Sequence, residues 1–298
     1  MFLKTVVTFI ILFTLTSVIS ISAQTENDTT KYWTIGGIPS VTFSQVTFNN
    51  WAAGGENSLS LLGSFDAAAD YAKDKHIWEN RVSLNYGLLK QGGEEFRKTD
   101  DRIYLGSKYG SQATEKWYYT ALLSFESQFQ NGYDFSGDTT KNKISAPFAP
   151  AYILGSLGMN YKAFKGFDVF ISPATGKMTI VADNDLSAAG AFGVNPGSNL
   201  RTEMGGFLKI AFEREIFKNV RLVTRVDFFS NYFEKPQNID INGELKVNMK
   251  VNDILSANFA LNMIYDDDID INGGPKTQVK QVFGVGISYI IGEVKPKE

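Results

Sequence analysis

The sequence predicts an all-β fold: a transmembrane antiparallel β-barrel of about 12 strands. Three observations lead there. Runs of roughly ten or more residues alternating apolar and polar recur along nearly the whole chain. An apolar leader stands ahead of them. After that leader, no stretch reaches the roughly 18 apolar residues that a spanning helix needs. The clearest run is 239–251, where Ile239, Ile241, Leu245, Val247 and Met249 share one face and Asp240, Asn242, Glu244, Lys246 and Lys250 share the other. Strand side chains alternate faces, so such a segment is apolar on one side and charged on the other. In a barrel the apolar face meets lipid and the charged face lines the lumen.

The elements follow in chain order. Residues 1–23 form a secretory signal: Lys4 is the basic start, Val6 to Leu15 the apolar stretch, and Ser20-Ile21-Ser22-Ala23 the cleavage region. No cysteine follows it, so a lipoprotein anchor is excluded. Residues 24–38 are expected as a periplasmic N-terminal segment, 39–292 as the barrel and 293–298 as a periplasmic tail. Strands are expected to begin near Pro39, Ser58, His76, Arg97, Glu115, Ala149, Phe167, Leu200, Asn219, Asn238, Ile254 and Lys276. In the strand from Phe167, Pro173 and Gly176 interrupt the alternation. The even-numbered connections are short and the odd ones longer, with 131–147 and 183–199 the longest. Barrels of this kind have short periplasmic turns and longer external loops, so both termini are expected in the periplasm. A soluble sandwich has no reason to keep that phase. Tyr71, Trp78, Trp117, Tyr118 and Tyr119 gather near even turns, where an interfacial girdle belongs.

Composition narrows the chemistry. The net charge of −3 is too near neutral to suggest nucleic acid. With no cysteine there is no disulfide, thiolate metal site or thiol nucleophile. The single histidine, His76, falls at a periplasmic turn, so a histidine-based triad cannot be assembled at the outer rim. We expect no enzyme activity and no cofactor. Asp266, Asp268, Asp270 and Asn272 imitate the opening of a calcium loop. The position that should carry its closing glutamate is Val279, and Pro275 intervenes, so a solvated acidic loop is the better reading.

Strand phase places Glu126, Gln128, Glu203, Lys209, Glu213, Arg221, Arg225, Asp227, Glu244, Lys246 and Lys250 on the lumen face. Charges there are costly unless paired or hydrated. Both signs are present, which suits either a charge-locked closed barrel or a narrow hydrated passage. Arg221 and Arg225 are expected to face carboxylates across neighbouring strands.

Asn50-Trp51-Ala52-Ala53-Gly54-Gly55, Lys98-Thr99-Asp100-Asp101, Ser127-Gln128-Phe129, Gly132-Tyr133-Asp134, Phe229-Ser230-Asn231-Tyr232 and Asn238-Ile239-Asp240 form a collinear set. On these motifs, from about Trp33 to Gly292, the chain resembles an uncharacterised family of Bacteroidota outer-membrane β-barrels, a domain of unknown function. The resemblance implies a Gram-negative outer membrane and carries over no catalytic residue. The expected partners are outer-membrane lipid, lipopolysaccharide and the barrel-assembly machinery. The expected function is a narrow passive channel or transporter for small polar solutes, the alternative being a non-conducting structural or accessory subunit of a larger complex.

Overall fold

A computed structural model describes residues 32–49, 52–53, 55–135, 142–266, 274 and 276–292. The expected signal peptide, the start of the expected N-terminal segment, most of the acidic loop (including Asp268, Asp270 and Asn272) and the expected C-terminal tail lie outside these residues.

Twelve long strands close into one antiparallel barrel. They are β1 (Trp33–Val46), β2 (Ser58–Lys73), β3 (His76–Gln91), β4 (Arg97–Gln112), β5 (Trp117–Ser127), β6 (Ala151–Phe164), β7 (Phe167–Ile180), β8 (Leu200–Phe217), β9 (Val220–Asn231), β10 (Asp240–Lys250), β11 (Leu255–Tyr265) and β12 (Gln278–Ser288). Each pairs with its sequence neighbours, and β12 returns to β1. Eleven of the strands begin within two residues of the positions expected from alternation. The exception is β1, which starts at Trp33 rather than near Pro39 because Trp33 to Ile38 pair with Tyr71 to Asp66 of β2. Pro39 sits within the strand, where its ring tolerates extended backbone.

The even connections are tight. Asp74 and Asn219 turn with left-handed φ of 52° and 65°, a conformation short polar residues accept. We call this the turn end and the opposite rim the loop end. At the loop end, two long connections carry structure that alternation did not predict: a small hairpin, 132–134 with 142–145, and the helix α1 (Asn184–Ala188).

The outside is apolar. Leu105, Leu123, Leu157, Ile171, Phe283 and Ile287 are exposed, as lipid-facing residues should be. Aromatic rings collect at the turn end: Trp33 lies 5.2 Å from Tyr71 and 5.8 Å from Trp78, and Trp117 lies 4.8 Å from Tyr161. Tyr118 departs from the expected girdle. Its side chain alternates inward, where the Lys162 ammonium lies 5.9 Å from its ring.

Candidate functional site

The lumen is the candidate site, and its two sides differ. On the arc from β5 to β9, inward residues pack tightly. Leu122, Phe170, Phe207 and Phe229 form a buried apolar cluster against Leu154. Beside it a polar ladder is sealed in, with Thr175 Oγ1 2.8 Å from Ser156 Oγ and 2.9 Å from Ser172 Oγ. These groups face the barrel interior because both ladders of β7 slip where Pro173 interrupts it, between Leu157 and Met159 on β6 and between Gly205 and Phe207 on β8. A proline cannot donate to the ladder, so the strand bulges there.

Ion pairs bracket the cluster. On one side, Lys108 Nζ lies 2.8 Å from both Glu79 and Asp168, and Lys162 also reaches Glu79. On the other, Lys177 Nζ lies 2.7 Å from Asp240, 3.5 Å from Glu203 and 3.7 Å from Asp266. Arg201 bonds the far oxygen of Glu203 at 3.2 Å.

Across the middle runs a bridge. Arg102 on β4 grips Glu126 on β5 with two nitrogens, at 2.9 and 3.3 Å, and extends a third to Glu244 on β10 at 3.4 Å. Strands β4 and β10 are six apart in either direction, so this contact spans the diameter. Glu244 also meets Lys246 at 3.0 Å and Arg225 at 3.4 Å, and Arg225 holds Asp227 at 3.3 Å. Both guanidiniums lie over Tyr104, 5.3 and 5.2 Å from its ring centroid. That ring lies against the wall over Gly106, where a Cβ would come within 2.8 Å of the phenol oxygen.

On the arc β11, β12, β1, β2, many of the inward residues are small, with Ile38, Leu62 and Val282 the larger apolar ones. Asn258, Ala260, Gly284, Gly286, Ser40 and Ser64 remain partly accessible. The charged groups here are open too: Asp66 is 47% exposed and Lys280 42%. Lys280 reaches Asp100 on β4 at 2.6 Å, and Lys246 reaches Asp66 at 3.5 Å.

Of the expected lumen residues, Glu126, Arg225, Asp227, Glu244 and Lys246 meet at the bridge. Glu203 belongs to the Lys177 cluster, and Lys209 lies 4.0 Å from Asp227. Arg221 pairs with Glu213 near the turn end. Lys250 is a correction: it sits at the rim and bonds Asp253 in the adjoining turn at 2.8 Å, outside the network. Gln128 lies just beyond β5 and donates to the Ala146 and Ala149 carbonyls. Strand phase did not single out Arg102, Lys108 or Lys177. The run Arg97-Lys98-Thr99-Asp100-Asp101-Arg102 is charged on both faces, and its ladder slips opposite Gly87 and Leu88. The signal that could have found them is sign: each is a cation with a carboxylate near it on one adjoining strand, Glu126 for Arg102, Glu79 for Lys108 and Glu203 for Lys177.

A lid covers part of the loop end. Ala146, Ala149, Val181, Leu186 and Val194 form a second buried cluster there. Asp183 caps α1, accepting from the Asp185 and Leu186 amides at 3.1 Å each, and pairs with Lys143 of the hairpin at 2.6 Å. Those bonds hold the Asp183 carboxyl below its ordinary range and raise Lys143 above its own. The lid springs from the ends of β5, β6 and β7, on the packed arc. His76 lies at the turn end and shares a 2.8 Å hydrogen bond with the Tyr109 hydroxyl. Among the described residues, no cluster of three or more His, Cys, Asp or Glu could hold a metal ion.

Two family models match separate parts of the chain, each described as a protein of unknown function: DUF3078 over residues 43–133 and DUF481 over 167–289. No curated protein matches in sequence. Similar solved structures include an outer membrane channel from Pseudomonas putida F1, at 12% identity and TM-score 0.38, covering 87% of this chain and 95% of that one. The NanC porin is similar at 7% identity and TM-score 0.37, covering 87% and 100%. The translocator domain of autotransporter NalP from Neisseria meningitidis is similar at 11% identity and TM-score 0.36, covering 96% and 97%. At such identities nothing is carried across about substrate or activity.

Proposed function

We propose that this protein is an integral outer-membrane barrel that passes small polar solutes passively along one side of its lumen, the crescent under β11, β12, β1 and β2. One observation carries the reading: many inward side chains on that arc are small and partly exposed, whereas the opposite arc carries the buried Leu122, Asn160, Phe170, Thr175, Phe207 and Phe229. Twelve strands enclose more space than the eight whose side chains fill a barrel. The bridge and the apolar cluster use up one part of that space and leave the rest. With Asp66 and Lys280 both in the crescent, selectivity by charge is weak.

In this reading the leader is cleaved near Ala23, the chain is inserted by the assembly machinery among lipid and lipopolysaccharide, and no reaction is catalysed. The loop end faces outward and both termini lie in the periplasm. An impermeant thiol reagent on whole cells labels Ser198→Cys and leaves Asp74→Cys dark; the opposite pattern reverses the orientation.

Planar-bilayer recording of the purified barrel tests the function. Stable single-channel steps support the passage. Silence, with other outer-membrane proteins co-purifying, supports a non-conducting structural or accessory subunit, the reading favoured by the Arg102–Glu244 bridge across the lumen.

A further inference from the structure

The barrel closes on its shortest ladder. Strand β1 meets β12 at Ser40–Ser288, Val41–Ile287 and Thr42–Gly286; toward the turn end the Tyr289 N–H donates to the Pro39 carbonyl at 3.1 Å, and Gly36 and Gly37 face Gly292 and Ile291. On its other edge β1 pairs with β2 without a break, from Trp33–Tyr71 to Val46–Ser58. Strand β12 likewise follows β11 from Leu255–Ile287 to Ile264–Gln278. Toward the loop end, therefore, 43–46 of β1 and 278–285 of β12 continue as strands without pairing to each other or, among the described residues, to anything else on those edges. The inner part of the seam is tight: a Cβ on Gly286 would overlap the Val41 carbonyl oxygen, and one on Gly284 the Thr42 side chain. Immediately beyond those glycines the wall parts.

A bare backbone edge cannot face hydrocarbon, because its N–H and C=O groups have no partner there. Such an edge is tolerated where water reaches it. The crescent supplies that water from inside, past Ser40, Thr42, Ser44 and Ser64. On the membrane side the lips are apolar, with Phe43, Val279 and Phe283 all more than half exposed. The gap thus joins a polar, hydrogen-bonding interior to a greasy exterior. An added β-strand fits it poorly, because β12 offers a long free edge and β1 only Phe43 to Val46 opposite it.

We propose that this notch is a lateral opening between the lumen and the loop-side leaflet. Its ligand class is a single-chain amphiphile, whose polar head sits among the crescent hydroxyls and free amides while its aliphatic chain lies between the lips. The proposal rests on the reading of the crescent as hydrated, and it adds a route out of the lumen that an axial channel does not need.

The chain has no cysteine, so introduced ones report cleanly. The pair Val41→Cys with Ile287→Cys, in the stitched part of the seam, should oxidise to a disulfide at least tenfold faster than Gln45→Cys with Phe283→Cys, which a zipped seam would also set opposite each other. In phosphatidylcholine vesicles, a bimane on Ser44→Cys should be quenched by lysophosphatidylcholine bearing a nitroxide on its acyl chain. A bimane on Ser64→Cys, inward on the continuous wall, should not. Equal disulfide rates, or equal quenching at the two sites, would overturn the notch. Conductance of the same preparations separates the two readings: steps without quenching at Ser44 overturn the notch alone, and quenching without steps supports the notch while overturning axial passage.

Discussion

The arc β5–β9 and the arc from β11 through β12 and β1 to β2 are built from the same alternating strands yet solve the lumen differently. On the first, Phe170, Phe207 and Phe229 place rings where alternation calls for polar groups, and a lid stands on the same arc at the loop end. On the second, glycine, serine and alanine leave the wall bare, and the charges of Asp66 and Lys280 stay wet. The difference teaches that a barrel of this size need not be open or shut as a whole. Large side chains brace one side and supply a packed core, while many of those on the other side are small and partly exposed.

Substitutions can break or sharpen that contrast. The largest expected effect is Phe170→Ala. It empties a fully buried ring position, should cost about 3–5 kcal/mol, and lowers the temperature of the heat-modifiable gel shift. Conductance should stay near that of the parent, since the cluster is walled off; a large rise would mean that the packed arc also conducts. Next is Arg102→Ala. Removing one partner from a poorly hydrated network costs on the order of 3 kcal/mol, and here it also joins the two compartments. Stability should fall and single-channel conductance rise. Arg225→Ala should match it in stability and change conductance less, because Arg225 stands on the packed side of the bridge.

Asp66→Asn acts on the open arc. Its ion pair is half exposed, so the stability change should stay under about 1 kcal/mol. Reversal potentials in a salt gradient should shift toward anions, and no shift would place the passage elsewhere. The smallest effect concerns the lid. Folding depresses the Asp183 pKa, so its stabilising contribution is present above the ordinary carboxylate pKa and is lost as pH falls through the lowered one. Proteolysis within 183–199 should therefore increase only in acid, below about pH 4, and Lys143→Ala should bring the susceptible state to neutral pH.

Much of this architecture was legible in the sequence, because alternation and connection length are local signals. Strand starts such as Ser58, His76, Arg97, Phe167 and Leu200 coincide with those in the structure. The inward phase of β9 and β10 was legible too, since Arg225, Asp227, Glu244 and Lys246 stand among apolar alternators. What stayed hidden depends on which strands face each other across the lumen. Arg102 and Glu244 are 142 residues apart, and no strand pattern links them. Phe170 and Phe207 break the polar-inward rule, and the slips beside Pro173 shift the phase around them. The short seam is a property of closure rather than of either strand alone.

The bridge from β4 to β10 has a mechanical consequence. A thin-walled cylinder is softest toward flattening into an ellipse, and a strut across one diameter resists flattening along that line. The remaining soft axis lies at right angles, from β1 to β7. At one end of that axis is the part-zipped seam, and at the other is the strand whose two ladders both slip at Pro173. Spin-label distances between β1 and β7 should therefore be broader than those between β4 and β10. Squeezing the barrel along its soft axis would bend it at the part-zipped seam and at the slipped strand, and would load the bridge in tension rather than compression.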